Sequence, residues 1–457
     1  MIQQRFDNIC AISTPQGSGA ISVIRVSGEE AISITEKIFS KKISDKDSHT
    51  AHFGLIKDGD VIIDEVVVTI FKDGKSFTGE DVTEIACHAS SYIQQRILDL
   101  LLSKGCRMAE PGEFSMRAFF NKKMDLSQAE AIADLIASNS EAAHKMAMHQ
   151  MRGGFAQELN LLRQQLIDFS SLIELELDFS QEDVEFADRT QLEDLNQKIL
   201  LKVNELIESF SLGNAIKNGV PVAILGPPNA GKSTLLNVLL KEDKAIVSDI
   251  AGTTRDVIED VVTIEGIQFR FIDTAGLRET TDKIESLGIE RSYSKAKDSS
   301  LILYMISAED LDEDLVIESF NQFVKTSGEG KTIIPVINKS DLLADSNEIE
   351  KLVENPIIIS AKNQTAIQDL QERLIATVNK DRLNGANLIV SNVRHLEALR
   401  KTKEAMSNVV EGMKNEIPGD LLAMDIRQAL HYLGEITGQV TPDDLLGNIF
   451  GKFCIGK

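Results

Sequence analysis

The eight residues GPPNAGKS, from Gly226 to Ser233, constrain the fold more than any other stretch of the chain. They fit the pattern GxxxxGK[ST], with an apolar run, Val220 to Leu225, before them and a helix-like run, STLLNVLLK, after them. Such a loop works only where a buried strand ends and a helix begins, because backbone N–H groups of both must converge on one phosphate group. In that setting Asn229, Ala230, Gly231, Lys232, Ser233 and Thr234 form a phosphate cradle. Lys232 can reach the β and γ phosphates as a catalytic cation, and Ser233 can ligate magnesium. The surrounding texture agrees: VPVAILG, FRFIDTAG, LILYMIS and TIIPVINKSD are short apolar strands alternating with helical stretches, the pattern of a mostly parallel sheet with crossovers.

Further motifs follow in order. DTAG, Asp273, Thr274, Ala275 and Gly276, closes the strand FRFI, where an aspartate can hold a magnesium shell and a glycine N–H can meet the γ phosphate. Strand ends on one edge of a parallel sheet converge on one ligand, which gives this otherwise weak motif its force. Between it and the phosphate loop lies AGTTRD, with Ala251, Gly252 and Thr253 leading to Thr254, a candidate second hydroxyl ligand for magnesium. A threonine-rich turn is the bland reading there. NKSD, Asn338, Lys339, Ser340 and Asp341, decides the base, because a carboxylate at Asp341 can accept from both the N1–H and the 2-amino group of guanine. Adenine offers no such pair of donors, so the wrong base leaves a carboxylate unsatisfied. SAK, Ser360, Ala361 and Lys362, supports the base from the next loop.

One expected residue is missing. Many small GTPases place a glutamine directly after DxxG to orient the attacking water, and here Leu277 follows Gly276. No arginine finger is assignable either, although such a charge is worth roughly 10³ to 10⁵ in rate. Asn229 can act as a simple loop cap or help hold a monovalent cation beside the phosphates, and the residue types leave both open. Arg278, Glu279, Asp282 and Glu285 follow DTAG in a polar segment, and chemistry alone does not choose among its carboxylates.

At 457 residues the chain exceeds one hydrophobic core, and ordinary domain sizes give about two to four domains. β-branched runs from Ala20 to Val26 and from Asp64 to Phe71 predict strands of an N-terminal α/β domain. From Ser127 to about Gly213 there is no proline and the spacing is helical, as in Leu159, Leu162, Leu166, Phe169, Ile173 and Leu177. Helical texture returns with Leu396, Leu399, Met406, Val409 and Met413, then Ile426, Leu430 and Leu433. The economical reading is a helical domain split in sequence around an inserted α/β domain, with polar glycine-bearing hinges near Gly213 and Gly385. The acidic run Glu174 to Asp188 reads as a solvated face rather than a metal site. No apolar run approaches the length of about 20 residues that spans a bilayer, and MIQQRFDNIC has neither the basic start nor the apolar core of a leader. Cys10, Cys87, Cys106 and Cys454 form no CxxC pair. A cytoplasmic protein is expected, and a net charge of −23 opposes non-specific attachment to nucleic acid or anionic lipid.

Several strings are far more specific than a phosphate loop: PQGSGAISVIRVSG, FTGEDVTEI, PGEFSMRAFFNKKMDLSQAEAIADLI, DTAGLRE and DDLLGNIFGKFCIGK. In these the chain resembles, over essentially its whole length, the tRNA-modification GTPase family MnmE, also called TrmE. The resemblance implies an α/β plus all-α protein: an N-terminal folate-binding and dimerisation domain (1–122), a helical domain in two parts (123–214 and 385–457) and an inserted G domain (215–384). It implies a homodimer and potassium in the arginine-finger role. Asn229, Ser248, Ile250 and Thr253 match the potassium positions, Asp249 lies in the same nucleotide loop, Ser233 and Thr254 match magnesium, and Glu285 matches the water-orienting residue. It further implies a partner, MnmG, carrying FAD, and a tetrahydrofolate one-carbon unit transferred to C5 of a tRNA wobble uridine. Arg25, Glu84, Lys123 and Lys457 match the folate contacts, and Cys454 of the CxGK segment matches a reactive or site-lining thiol. His88, Ala89 and Ser90 depart from the HGG common in the family, and Pro227 stands where some relatives have Arg. The generic GTPase motifs alone also admit a ribosome or assembly factor that performs no RNA chemistry.

Overall fold

The computed structural model describes residues 7–15, 17, 19–72, 74–178, 189–243, 260–272, 299–310, 314–327, 331–342, 353–378, 389–415, 417–440 and 443–456. They fall into two compact units. One comprises Met1–Ala137, Ala147–Leu201 and Ala398–Lys457, the other Ser138–Met146 and Lys202–Glu397.

In the first unit six strands, β1 (Asn8–Ile12), β2 (Ile21–Ser27), β3 (Thr50–Asp58), β4 (Val61–Phe71), β5 (Val82–His88) and β6 (Cys106–Met108), form a sheet of order β3-β4-β5-β2-β1-β6. All its pairs are antiparallel except β1 with β6. Side chains alternate across the sheet as the pleat requires. In β4, Val66, Val68 and Ile70 are buried, and they join one core with residues of the helices Ala31–Ile38 and Ser91–Ser103, while Glu65 and Val67 face out. The helical stripes predicted from spacing are the buried ones. Leu159, Leu162, Leu166, Phe169 and Ile173 are buried in the helix Gly154–Asp178, and Ile426 and Leu433 in Gly419–Thr437. Met406 and Val409 are buried in Val393–Lys414, whereas Met413 and Leu430 are half-buried.

The second unit holds β7 (Val220–Leu225), β8 (Asp260–Ile264), β9 (Ile267–Phe271), β10 (Leu301–Ser307), β11 (Thr332–Asn338) and β12 (Ile357–Ile358) in the order β12-β11-β10-β7-β9-β8. Only β8 and β9 pair antiparallel. The central strands are apolar on both faces because helices cover a parallel sheet from both sides. β7 lies between β10 and β9, so the chain leaves it towards one side and returns on the other, the crossover geometry at which ligands bind in open sheets.

The hinge expected at Gly213 is not there. Gly213 lies inside the unbroken helix Arg189–Asn218, and a Cβ on it would stand 2.1 Å from the carbonyl oxygen of Val390. The backbone N–H of Val390 donates to Ser209 Oγ at 3.0 Å one turn earlier. The glycine is therefore a close crossing between a strand of backbone and a helix. The stretch around Gly385 lies outside the described residues.

Candidate functional site

The loop Gly226–Lys232 joins β7 to the helix Lys232–Asp243, which carries Ser233 and Thr234 in its first turn. Two glycines are required by contact and backbone together. Gly226, at φ +137°, has its Cβ position 2.0 Å from the Met305 carbonyl of β10, and Gly231, at φ +94°, has its own 2.1 Å from Nδ2 of Asn338. Asn229 adopts φ +60°, a left-handed conformation that asparagine tolerates better than most residues. Lys232 Nζ donates to the carbonyls of Gly226 at 2.9 Å and Pro227 at 2.6 Å, so its ammonium lies within the curl of the loop.

Asn338, at the end of β11 and buried, ties the GPPNAGKS loop to the SAK loop. Its Nδ2 donates to the Ala230 carbonyl at 2.8 Å, and its Oδ1 accepts from the N–H of Ala361 at 2.9 Å. Three residues on, Asp341 Oδ1 accepts from Ser360 Oγ at 2.6 Å. That hydroxyl is the main reason the Asp341 carboxyl is held below the usual carboxylate range. The charges of Lys362 and Lys339 add to it and slight desolvation opposes it. The Ser340 N–H donates to the Ile359 carbonyl, closing the two base loops on each other. The result is a fixed, ionised acceptor beside a phosphate-binding loop, an arrangement suited to a base presenting adjacent donors.

The sequence therefore places Asn229, Ala230, Gly231, Lys232, Ser233, Thr234, Asn338, Lys339, Ser340, Asp341, Ser360, Ala361 and Lys362 on the linked strand ends of one sheet. Ser248, Asp249, Ile250, Ala251, Gly252, Thr253, Thr254, Asp273, Thr274, Ala275, Gly276 and Glu285 lie outside the described residues. Sequence reasoning missed Glu309, which pairs with Lys339 from the turn Ala308–Asp310 after β10. The available signal was a carboxylate two residues beyond the apolar strand LILYMIS.

A second constellation lies in the first unit. Arg25 and Glu84 are register partners on β2 and β5, and Arg25 donates through Nε at 3.0 Å and Nη2 at 2.8 Å to Glu84 Oε1. The guanidinium lies 5.6 Å from the Phe77 ring centre and 5.5 Å from that of Phe114, within cation–π range. Its Nη1 reaches the Gly456 carbonyl at 3.4 Å, which also accepts from Ser13 Oγ at 3.2 Å. Gly456 has φ +95°, and its Cβ position is 2.3 Å from the Ile12 carbonyl oxygen. The Cys454 carbonyl accepts from Gly112 N–H, leaving the exposed thiol near this cluster in sequence. Lys123 is bonded instead to the Gly74 carbonyl at 2.9 Å. Lys457 lies outside the described residues.

The departure at His88, Ala89 and Ser90 needs no glycine. Ser90 has φ −88°, and His88 is clamped by buried Asp64, through its backbone N–H at 2.8 Å and its Nδ1 at 2.7 Å. Burial, with the Asp64 carboxylate, pushes the neighbouring Cys87 thiol up to about 11. Among the described residues no helix is long and apolar enough to cross a membrane.

Comparison with known proteins adds family-level findings. A model of the MnmE helical domain matches residues 126–454, and one described as the GTP-binding protein TrmE N-terminus matches residues 8–123. The tRNA modification GTPase MnmE of Flavobacterium psychrophilum is 52% identical over 458 residues, covering 99% of each chain. Its counterpart in Cytophaga hutchinsonii is 53% identical over 453 residues, covering 99% of this chain and 98% of that one. The protein of the same name from Bacteroides thetaiotaomicron is 53% identical over 465 residues, covering 99% of each.

Proposed function

The chain belongs to the MnmE family of tRNA modification GTPases, and from that premise we propose that it hydrolyses GTP in the course of modifying the wobble uridine of tRNA. The observation that carries the reading is the fixed carboxylate of Asp341, held by Ser360 and linked through Asn338 to the phosphate loop. It supports a guanine nucleotide, with its base at Asp341 and its phosphates at Lys232. Ser233, a hydroxyl in the first turn of a helix, is a suitable donor for magnesium, which when bound neutralises phosphate charge.

The finer reading follows the family. Asn229, Ser248, Ile250 and Thr253 would hold a potassium ion that supplies the positive charge of an arginine finger, and Thr254 with Ser233 would hold magnesium. Glu285 orients the attacking water. Arg25, Glu84, Lys123 and Lys457 bind a tetrahydrofolate that supplies the one-carbon unit, with Cys454 beside it. The ion-paired Arg25 and Glu84 have the donor and acceptor character that a ligand with carboxylates and a pterin edge requires. The protein works as a cytoplasmic homodimer with MnmG, whose FAD serves the redox step. Its domains are 1–122, 123–214 with 385–457, and 215–384.

Mass spectrometry of tRNA from a strain lacking this protein tests the reading. The C5 aminomethyl or carboxymethylaminomethyl groups of wobble uridines should disappear. Unaltered wobble uridines would overturn the reading in favour of a GTP-switched assembly factor. Hydrolysis by the purified protein should be much faster in potassium than in sodium, and equal rates would remove the cation from the mechanism.

A further inference from the structure

An ion pair between Lys339 of NKSD and an acid that belongs to none of the nucleotide motifs bridges the turns after β10 and β11. The ammonium of Lys339 donates to a carboxylate oxygen of Glu309, and Glu309 is itself anchored at the end of β10. Ser307 Oγ, buried, accepts from the Glu309 N–H at 3.3 Å and donates to Glu309 Oε2 at 3.4 Å. Lys339 adopts φ +65°, a backbone region that a side-chain-bearing residue keeps only when its surroundings fix it. The Lys339 charge favours the ionised form of both Glu309 and Asp341, and those two carboxylates repel one another. A cation at the start of the turn that carries Asp341 is thus held by an acid from the neighbouring strand end.

We propose that Glu309 is a positioning residue of the guanine pocket, pinning Lys339 and with it the adjoining turn Ser340–Leu342, so that the Asp341 carboxylate on that turn keeps the orientation needed to accept two hydrogen bonds from the base. The inference rests on the reading of Asn338 to Asp341 as the base site. It adds a fourth strand end to the pocket: β7 contributes the phosphate loop, β11 and the segment after β12 the base loops, and β10 the acid that holds Lys339.

Binding of GDP, IDP and ADP to the full-length protein tests this, because inosine lacks the 2-amino group that the second Asp341 hydrogen bond needs. Glu309→Gln should weaken GDP about threefold to fivefold, in keeping with a partly exposed ion pair, and weaken IDP less, so that discrimination between them narrows. Melting temperature should not move, and kcat should fall less than KM rises. On a Lys339→Met background the same change should add nothing. Unchanged discrimination overturns the proposal, as does an equal loss for both nucleotides accompanied by a lower melting temperature. Should the unaltered protein fail to prefer GDP over ADP, the base-site reading itself falls, an outcome distinct from a silent Glu309→Gln.

Discussion

The hydroxyl of Ser360 is the largest influence lowering the carboxyl of Asp341, the residue proposed to read the base. Because it and nearby lysines hold the Asp341 carboxyl below its ordinary value, that group stays ionised throughout the range above about 3.9, and its contribution is lost only as the pH falls through the lowered value. Affinity for GDP should therefore be level in this respect from pH 8 into mild acid. Removing the hydroxyl with Ser360→Ala should move the acid limb of the Kd profile to higher pH, and superimposable limbs for the two proteins would refute the assignment. Gly231→Ala is a harsher change at the same scale. The new methyl would collide with Asn338 Nδ2 while the backbone sits at φ +94°, so GDP binding should be lost or greatly weakened, as read by titration calorimetry. The residues behind both predictions are legible in the sequence, because a phosphate loop and its base motifs are local strings whose chemistry dictates their order. Glu309 was not legible in the same way. Its partner comes from another strand end, and only the parallel register that sets Ser307 beside Asn338 brings the two turns together.

At the scale of elements, long-range pairing decides what a linear reading can reach. The helix Glu113–Phe120 is fastened to the sheet by charges drawn from residues 7, 80, 107, 113 and 117. Arg117, almost fully buried, donates to Asp7 Oδ1 at 2.7 Å, Glu113 Oε1 at 3.0 Å and Glu80 Oε1 at 3.1 Å. Burial pushes the Glu113 carboxyl up, but Arg107, the Glu110 N–H and Arg117 together pull it down further, and it ends below its ordinary value. Its stabilising contribution is thus complete above the ordinary glutamate range and fades as the pH falls through the lowered value. Replacing Arg117 by Met removes one cation from buried Glu113, which keeps Arg107 and the Glu110 N–H, and from the less buried Asp7 and Glu80, and should cost about 2–3 kcal/mol of stability at neutral pH, the scale of lost hydrogen bonds to charged groups. A urea midpoint equal to that of the unaltered protein would show the cluster to be ornamental. No periodicity announces such a cluster, whereas the helical stripes of the same unit were plain because a 3.6-residue repeat is a local property. The glycine at position 213 illustrates the converse: its composition resembles a hinge, and only the Val390 carbonyl against it reveals a packing role.

Across the whole molecule, the two constellations reside in units with separate cores, the phosphate loop in one and the Arg25–Glu84 pair in the other. If the nucleotide cycle and the one-carbon step are both needed for tRNA modification, damage confined to the second constellation should leave the first running. Gly456→Ala is suited to that separation. Its methyl has no room beside the Ile12 carbonyl, the φ of +95° is strained for alanine, and the Gly456 carbonyl that receives Arg25 and Ser13 must shift with it. Nothing in that change touches Lys232, Asn338 or Asp341. The variant should hydrolyse GTP within about twofold of the unaltered protein, since substitutions away from a site ordinarily act within a few tenths of a kcal/mol. In a deletion strain it should nevertheless fail to restore the modified wobble uridines, as read by nucleoside mass spectrometry. Full restoration would detach the Cys454–Gly456 segment from the modification chemistry. A parallel collapse of GTP hydrolysis would instead show that the two constellations depend on one another even without turnover of tRNA.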